Sequence, residues 1–258
     1  MILGLAGRTA LVFGGSRGIG AASARALAGE GVALGLTARS AEALAPMLAE
    51  HPDSLPIAAD LTVAGDAERA VAAMLARHGR IDLAVVSAGA AQGGSFTVLD
   101  DQVWEDALAL KFMGMVRALR ALIPPMRDAG FGRILVIVGN NGRQPNKAML
   151  PGSAANAACL AVIRGLADDV AADGIRINAL NPGPTRTDRW QTLVGRLATS
   201  GGSDPADVES ALLAQQPLGR IAEADEMGQL AAMMLSDAAD MLVGTSLTAD
   251  GGVTKVIG

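Results

Sequence analysis

Thr9-Ala10-Leu11-Val12-Phe13, running straight into Gly14-Gly15-Ser16-Arg17-Gly18-Ile19-Gly20, decides how this chain is read. A short, near-continuously apolar run has the length and composition of a strand covered on both faces. The glycines that follow, spaced Gly14-x3-Gly18-x-Gly20, let the backbone turn sharply and approach a ligand closely. A helical pattern over 18–29 starts on the same residues. A helix N-terminus behind such a turn offers free N–H groups and the positive end of a dipole, which suits a pyrophosphate. A glycine turn can also be plain chain reversal, but its place between the first strand and the first helix favours the phosphate cradle.

Working outward, apolar runs near 32–37, 55–59, 82–87, 133–138, 175–180 and 243–248 read as further strands. Helical patterns fit 41–50, 63–77, 101–127, 153–172, 206–214 and 223–236. Within 153–172, Leu160, Ile163, Leu166 and Val170 recur every three or four positions, one side of a helix. Alternation of strand and helix implies an α/β fold, a doubly wound parallel sheet of about seven strands with helices on both faces. Residues 1–258 read as one domain. The stretch 181–204, rich in Gly, Pro, Ser and Thr, reads as irregular, and a lid-like segment is expected near 185–215. Trp190, Leu193, Val194 and Leu197 form an apolar stripe there, suited to a substrate or to the core.

Composition excludes several classes. Half of the 258 residues are hydrophobic, which is too apolar for a disordered chain. Net charge is −5, with two Trp, four Phe and no Tyr, so no basic aromatic surface suggests nucleic-acid binding. A single cysteine, Cys159 in an apolar helical stretch, precludes an internal disulfide and reads as a buried small residue. His51 and His78 make a poor zinc set, and no metal is expected. No run of about 18 apolar residues suggests a membrane span, and the N-terminal Met1-Ile2-Leu3-Gly4 lacks the character of a signal peptide, so the expected location is cytoplasmic.

Motifs along nearly the whole chain resemble the short-chain dehydrogenase/reductase family, whose sheet is of Rossmann type. Its glycine spacing is that of residues 14–20. Asp60-Leu61-Thr62 falls where the family's Asp contacts adenine, and Ala88-Gly89 resembles the end of its Asn-Asn-Ala-Gly motif. Gly132-Arg133-Ile134, Gly174-Ile175-Arg176-Ile177-Asn178, Asn181-Pro182-Gly183-Pro184 and Asp250-Gly251-Gly252 match its later landmarks. Thr187 sits where the family often bonds the nicotinamide carboxamide. The resemblance implies a nicotinamide cofactor held by Gly14, Ser16, Arg17, Gly18, Ile19, Gly20, Asp60, Leu61, Ala88, Gly89, Pro182, Gly183 and Thr187. It also implies a homotetramer or homodimer joined through the helices at 101–127 and 153–172, where Ala154, Ala157, Ala158, Ala161 and Gly165 would allow close contact. An acidic residue ending the second strand would favour NAD, but that strand ends Thr37-Ala38-Arg39-Ser40. Arg39, with Arg17, suits a 2′-phosphate, so NADP is expected and NAD is the alternative.

The chain departs from the family at the residues that carry proton transfer. Counted from Gly132, the family's Ser position falls on Gly139, its Tyr position on Gly152 and its Lys position on Asn156, while Lys111 stands at its Asn position. Lysine and asparagine have thus exchanged places. The expected catalytic set is Lys111, Asn140, Ser153 and Asn156, with Lys111 holding the nicotinamide ribose and stabilising oxyanion charge. Arg143 and Lys147 could recognise an anionic substrate. This favours an NADP-dependent oxidoreductase acting on a small carbonyl, alcohol or activated alkene. The alternatives are a non-catalytic NADP-binding sensor or partner subunit, and a lyase or isomerase on the same scaffold.

Overall fold

The opening run forms strand β1 (Thr9–Phe13), buried at every position. Its side chains alternate, so Leu11 and Phe13 enter the core on one face of the sheet while Ala10 and Val12 enter the core on the other. The protein, described by a computed structural model, is defined over residues 3–89 and 93–256. Met1 and Ile2, with which the N-terminal reading begins, lie outside the described residues.

After β1 come α1 (Gly18–Gly29), β2 (Ala33–Ala38), α2 (Ala45–Glu50), β3 (Leu55–Ala58), α3 (Asp66–His78) and β4 (Leu83–Val86). Then follow α4 (Asp101–Ala107), α5 (Gly114–Asp128), β5 (Gly132–Ile137), α6 (Leu150–Val170) and β6 (Ile175–Pro182). The chain continues through β7 (Thr185–Arg186), α7 (Asp188–Gly201), α8 (Pro205–Ala214), β8 (Ala222–Glu223), α9 (Ala224–Leu235) and β9 (Ser246–Ala249). Seven strands make one parallel sheet in the order β3-β2-β1-β4-β5-β6-β9. The expected Rossmann-type sheet is therefore present, with α1 and α9 over one face and α3, α5 and α6 over the other. Strand order reverses between β1 and β4, and ligands in such sheets bind in the crevice outside the strand C-termini at that switch.

Two expectations need correction. The stretch 181–204 is not irregular, because helix α7 occupies most of it. Its glycines and threonines masked a helical spacing of Trp190, Val194 and Ala198, all buried. Trp190 and Val194 pack with Ile221, whereas Leu193 and Leu197 of the expected stripe remain 42% exposed. The pattern at 101–127 is not one regular helix, since a π-helical segment, Leu108–Met113, separates α4 from α5. Such bulges recur at functional sites because the extra residue re-aims a side chain. Leu150–Asp173 is long and apolar enough to cross a bilayer by length and composition only, which a core helix also satisfies, so the expectation of no membrane span is not overturned. Here Cys159, Ile163, Ala167 and Val170 of that segment are buried in the protein.

Candidate functional site

The glycine turn after β1 is built as its sequence demands. Gly14 and Gly18 hold φ of +78° and +56°, a region that side chains disfavour. A Cβ on Gly20 would stand 2.1 Å from the Gly14 carbonyl oxygen, and one on Gly14 would stand 2.9 Å from that of Ser87. The turn therefore folds onto itself and abuts the end of β4, with no room for side chains on these glycines. Gly15 donates its N–H to the Thr37 carbonyl at 2.9 Å, fixing the turn to the end of β2. Arg17 and Arg39 are both exposed, and neither forms an ion pair among the described residues. Ser16 and Ile19 are half-buried beside them.

Other expected cofactor positions converge on the same edge. Asp60 follows β3, and its Oδ1 accepts from both N and Oγ1 of Thr62, at 2.8 and 2.7 Å. Leu61 is buried, and its carbonyl accepts from Arg117. Ser87 donates to the Phe13 carbonyl, so Ala88 and Gly89 emerge beside the glycine turn. Pro182 ends β6, and a Cβ on Gly183 would stand 2.6 Å from Asp250 Cβ. Thr187 lies next to Gly18, its Cγ2 3.6 Å from where a Gly18 Cβ would be. The first helix and the loop after β6 thus frame one crevice.

Lys111 reaches into this region from the π-helical segment. Its Nζ donates to the Ile137 carbonyl at 3.0 Å, at the end of β5. Its chain crosses Gly89 so closely that a Cβ there would meet Cδ at 2.6 Å and Nζ at 3.0 Å. Burial pushes its pKa down to about 8, with Cys159 opposing and Arg189 adding to the fall. Cys159 is itself pushed up to about 11 by burial, and its Sγ lies 3.6 Å from the Lys111 carbonyl. Asn156, nearly buried, places Nδ2 3.0 Å from where a Gly139 Cβ would stand. Lys111 and Asn156 therefore both address the end of β5.

The remaining expected catalytic residues are engaged elsewhere. Asn140 donates Nδ2 to Asp250 at 3.1 Å and ties the loop after β5 to the segment after β9. Burial alone would raise the Asp250 carboxyl, but bonds from Thr254, Asn140 and Gly252 bring it below its ordinary value. Ser153 is 2% exposed; its hydroxyl donates to the Met149 carbonyl and accepts from Asn146 N–H, so it secures the start of α6. Arg143 turns to the Ser246 carbonyl, and Lys147 is exposed. Among the described residues no cluster of His, Cys, Asp or Glu is placed to hold a metal.

Arg189 was not singled out in the sequence. Standing in the first turn of α7, it brings Nη1 within 3.5 Å of the Gly89 carbonyl, so the crevice carries a second cation beside Lys111. Its neighbour Trp190 donates Nε1 to Glu209 at 2.8 Å, which also takes Arg186 at 2.9 Å and fastens α7 to α8. An Arg after a Thr-Asp pair gives no periodic signal, so only the fold reveals its place.

A family model described as enoyl-(acyl carrier protein) reductase matches residues 14–254. The chain is 32% identical over 256 residues to an A-factor type gamma-butyrolactone 1′-reductase (1S-forming) of Streptomyces virginiae, covering 97% of this chain and 96% of that protein. It is 30% identical over 253 residues to the 3-oxoacyl-[acyl-carrier-protein] reductase FabG of Escherichia coli (strain K12), covering 97% and 98%. Among solved structures, L-sorbose reductase from Gluconobacter frateurii, complexed with NADPH and L-sorbose, superposes with a TM-score of 0.93 at 27% identity over the full length of both chains. The chain belongs to the short-chain dehydrogenase/reductase family of NAD(P)-dependent oxidoreductases.

Proposed function

We propose that this protein is an NADP-dependent reductase of small carbonyl compounds or activated alkenes whose proton-transfer site is rebuilt around Lys111. The Lys111 ammonium carries the reading, since it is held 3.0 Å from the Ile137 carbonyl and beside Gly89 with its pKa lowered to about 8. A donor with a pKa close to working pH transfers a proton well in either direction. No phenol can serve, since the chain has no tyrosine.

The residues present fit a dinucleotide. The positive φ of Gly14 and Gly18 and the absence of space for a Cβ on Gly20 make the cradle, while Gly183 and Thr187 close it from the loop after β6. Arg17 and Arg39 would take the 2′-phosphate, and Asp60 with Leu61 would flank the adenine. Gly89, beside Lys111, would lie at the nicotinamide ribose. Reduction of a carbonyl adds a hydride to carbon, which NADPH supplies when bound, and a proton to oxygen, which Lys111 supplies and regains from solvent. Asn156 Nδ2, 3.0 Å from where a Cβ on Gly139 would stand, occupies the space beside that glycine.

Helices α7 and α8 act as a lid, seated by the Trp190, Val194 and Ile221 cluster. Ala154, Ala157, Ala161 and Gly165 lie exposed on the outer side of α6 and would join copies into a homodimer or homotetramer. The commitment of Ser153 and Asn140 to structural bonds favours a second reading, a protein that binds NADP without turnover. One experiment separates the two. NADPH affinity is titrated by fluorescence, and a carbonyl panel is followed at 340 nm, for the wild type and Lys111→Met. The first reading expects turnover that Lys111→Met abolishes with NADPH affinity nearly intact; turnover unchanged by the substitution rejects it. NADPH binding with no turnover of any carbonyl supports the second.

A further inference from the structure

Gly89, just beyond β4, does not adopt a positive φ, so its backbone would accept an alanine. What it lacks is room. The three heavy atoms nearest to a Cβ placed there all belong to the Lys111 side chain, Cδ at 2.6 Å, Nζ at 3.0 Å and Cε at 3.4 Å. Gly14 and Gly20 differ, because backbone closes on them, the Ser87 carbonyl oxygen at 2.9 Å and that of Gly14 at 2.1 Å. The lysine tail thus lies in the volume that any larger residue at 89 would fill. The backbone on either side of this contact is held. Ser87 donates to the Phe13 carbonyl at 2.9 Å, and the Gly89 carbonyl accepts from Arg189 at 3.5 Å. The Lys111 carbonyl accepts from Cys159 Sγ at 3.6 Å, and a Cβ on Gly114 would stand 3.0 Å from Leu61 Cβ. Among the described residues the tail itself has one hydrogen bond, from Nζ to the Ile137 carbonyl at 3.0 Å. Lys111 is half-buried, so a displaced tail has solvent to enter. A side chain added at 89 is therefore accommodated by the tail, which leaves the Ile137 carbonyl.

We infer that Gly89 is a positioning residue, its missing Cβ being the passage through which Lys111 reaches the end of β5 and takes its seat there. A ligand pressed against Gly89 would also demand a small residue, and the experiment separates the two demands. The consequence for catalysis rests on the reading of Lys111 as the proton donor. The positioning itself is read from stability and titration, without turnover.

The test introduces Gly89→Ala into the wild type and into Lys111→Ala. An alanine at a compatible φ stabilises a protein by restricting its unfolded chain. In the Lys111→Ala background Gly89→Ala is therefore expected to hold or raise the urea midpoint. With the lysine present the shift should differ, because the tail must leave its seat, and a double-mutant cycle isolates that difference. A Gly89→Ala protein that does not fold while Gly89→Ala/Lys111→Ala does supports the same contact. An equal shift in both backgrounds, or failure of both to fold, overturns the proposal. Protein labelled with ¹⁵N at its three lysines, Lys111, Lys147 and Lys255, reports the ammonium directly by NMR. Burial, opposed by Cys159 and aided by Arg189, has Lys111 titrate at about 8 in the wild type. In Gly89→Ala its signal is expected to move toward the ordinary lysine value of about 10.4, and no movement overturns the proposal. The NADPH Kd should stay within about threefold while kcat on a carbonyl that the wild type reduces falls about a hundredfold. A rise of about tenfold in NADPH Kd with the Lys111 signal unmoved overturns the proposal and assigns the glycine to the cofactor. An unchanged kcat with the Lys111 signal displaced supports the positioning by Gly89 and rejects Lys111 as the proton donor.

Discussion

Stability between pH 8 and 10.5 should rise through Lys111. An unfolded lysine keeps its proton to about 10.5, whereas folded Lys111 releases it near 8. Between those values the unfolded state holds more protons, so the folded state gains as pH increases. The full shift corresponds to about 3 kcal/mol, present as a penalty below pH 8 and relieved across this window. Cys159 acts with the opposite sign. Its thiol titrates near 11 when folded against 9.0 when unfolded, so stability falls as pH climbs between them. The comparison is therefore made in a Cys159→Ala background, with and without Lys111→Met. The chain offers few other groups in this range, since it has no tyrosine and its other lysines, Lys147 and Lys255, are exposed. Urea unfolding from pH 7 to 10.5 supplies the free energies by linear extrapolation. The lysine-containing protein is expected to gain about 3 kcal/mol over its Lys111→Met counterpart across the window. Parallel curves would show that Lys111 titrates like an exposed lysine, and the argument for a near-neutral proton donor would fall with them. In the reductive direction the same group predicts a kcat that declines above about pH 8, as the ammonium is lost.

Gly20→Ala should raise the NADPH Kd sharply, because the new Cβ meets the Gly14 carbonyl 2.1 Å away and that backbone must shift; an unchanged Kd by fluorescence titration would remove the cradle from its assigned place. Arg39→Ser should weaken NADPH by about ten- to a hundredfold while leaving NADH within a factor of about two, measured by parallel titrations, with equal losses on both counting against a 2′-phosphate contact. Trp190→Ala removes the centre of the Val194 and Ile221 cluster and the bond to Glu209, at a cost of about 3–5 kcal/mol. Faster limited proteolysis within 188–214 and a raised KM are expected, and an unaltered cleavage pattern would show that this cluster does not seat the lid.

How much of this was legible depended on whether a residue's role is local. β1 and the glycine turn were readable because apolar continuity and positive-φ demand are properties of the segment itself. The remaining sheet strands lay within a few residues of expectation for the same reason. Helix α7 was missed because its composition resembles a loop and its helicity comes from packing Trp190, Val194 and Ala198 on other elements. The π-helical segment was missed because it keeps helical spacing to within one residue, so periodicity alone reads straight through it. Arg189 was invisible because its significance is a meeting with Gly89, one hundred positions away in sequence. Ser153 and Asn140 were singled out for their chemistry, but their partners, Met149, Asn146 and Asp250, are what fix their use, and partners across a fold are not written in spacing.

The same distinction bears on why the lysine and asparagine stand where they do. A site drifting without function tends to lose buried charges, since an ammonium held out of water costs several kcal/mol and a methionine of similar length costs little. Here an ammonium stands at position 111, seated on the Ile137 carbonyl and threaded past a glycine whose missing side chain gives it passage. Position 156, where the resemblance places a lysine, instead carries a neutral amide fitted against Gly139, so the pocket has not simply collapsed around a lost cation. Carrying an ammonium at an energetic penalty at the end of β5, with burial and Arg189 lowering its pKa, is the pattern expected of a group used for its proton and its charge. That is why the pH dependence of stability and the chemistry of the crevice must stand or fall on the same residue.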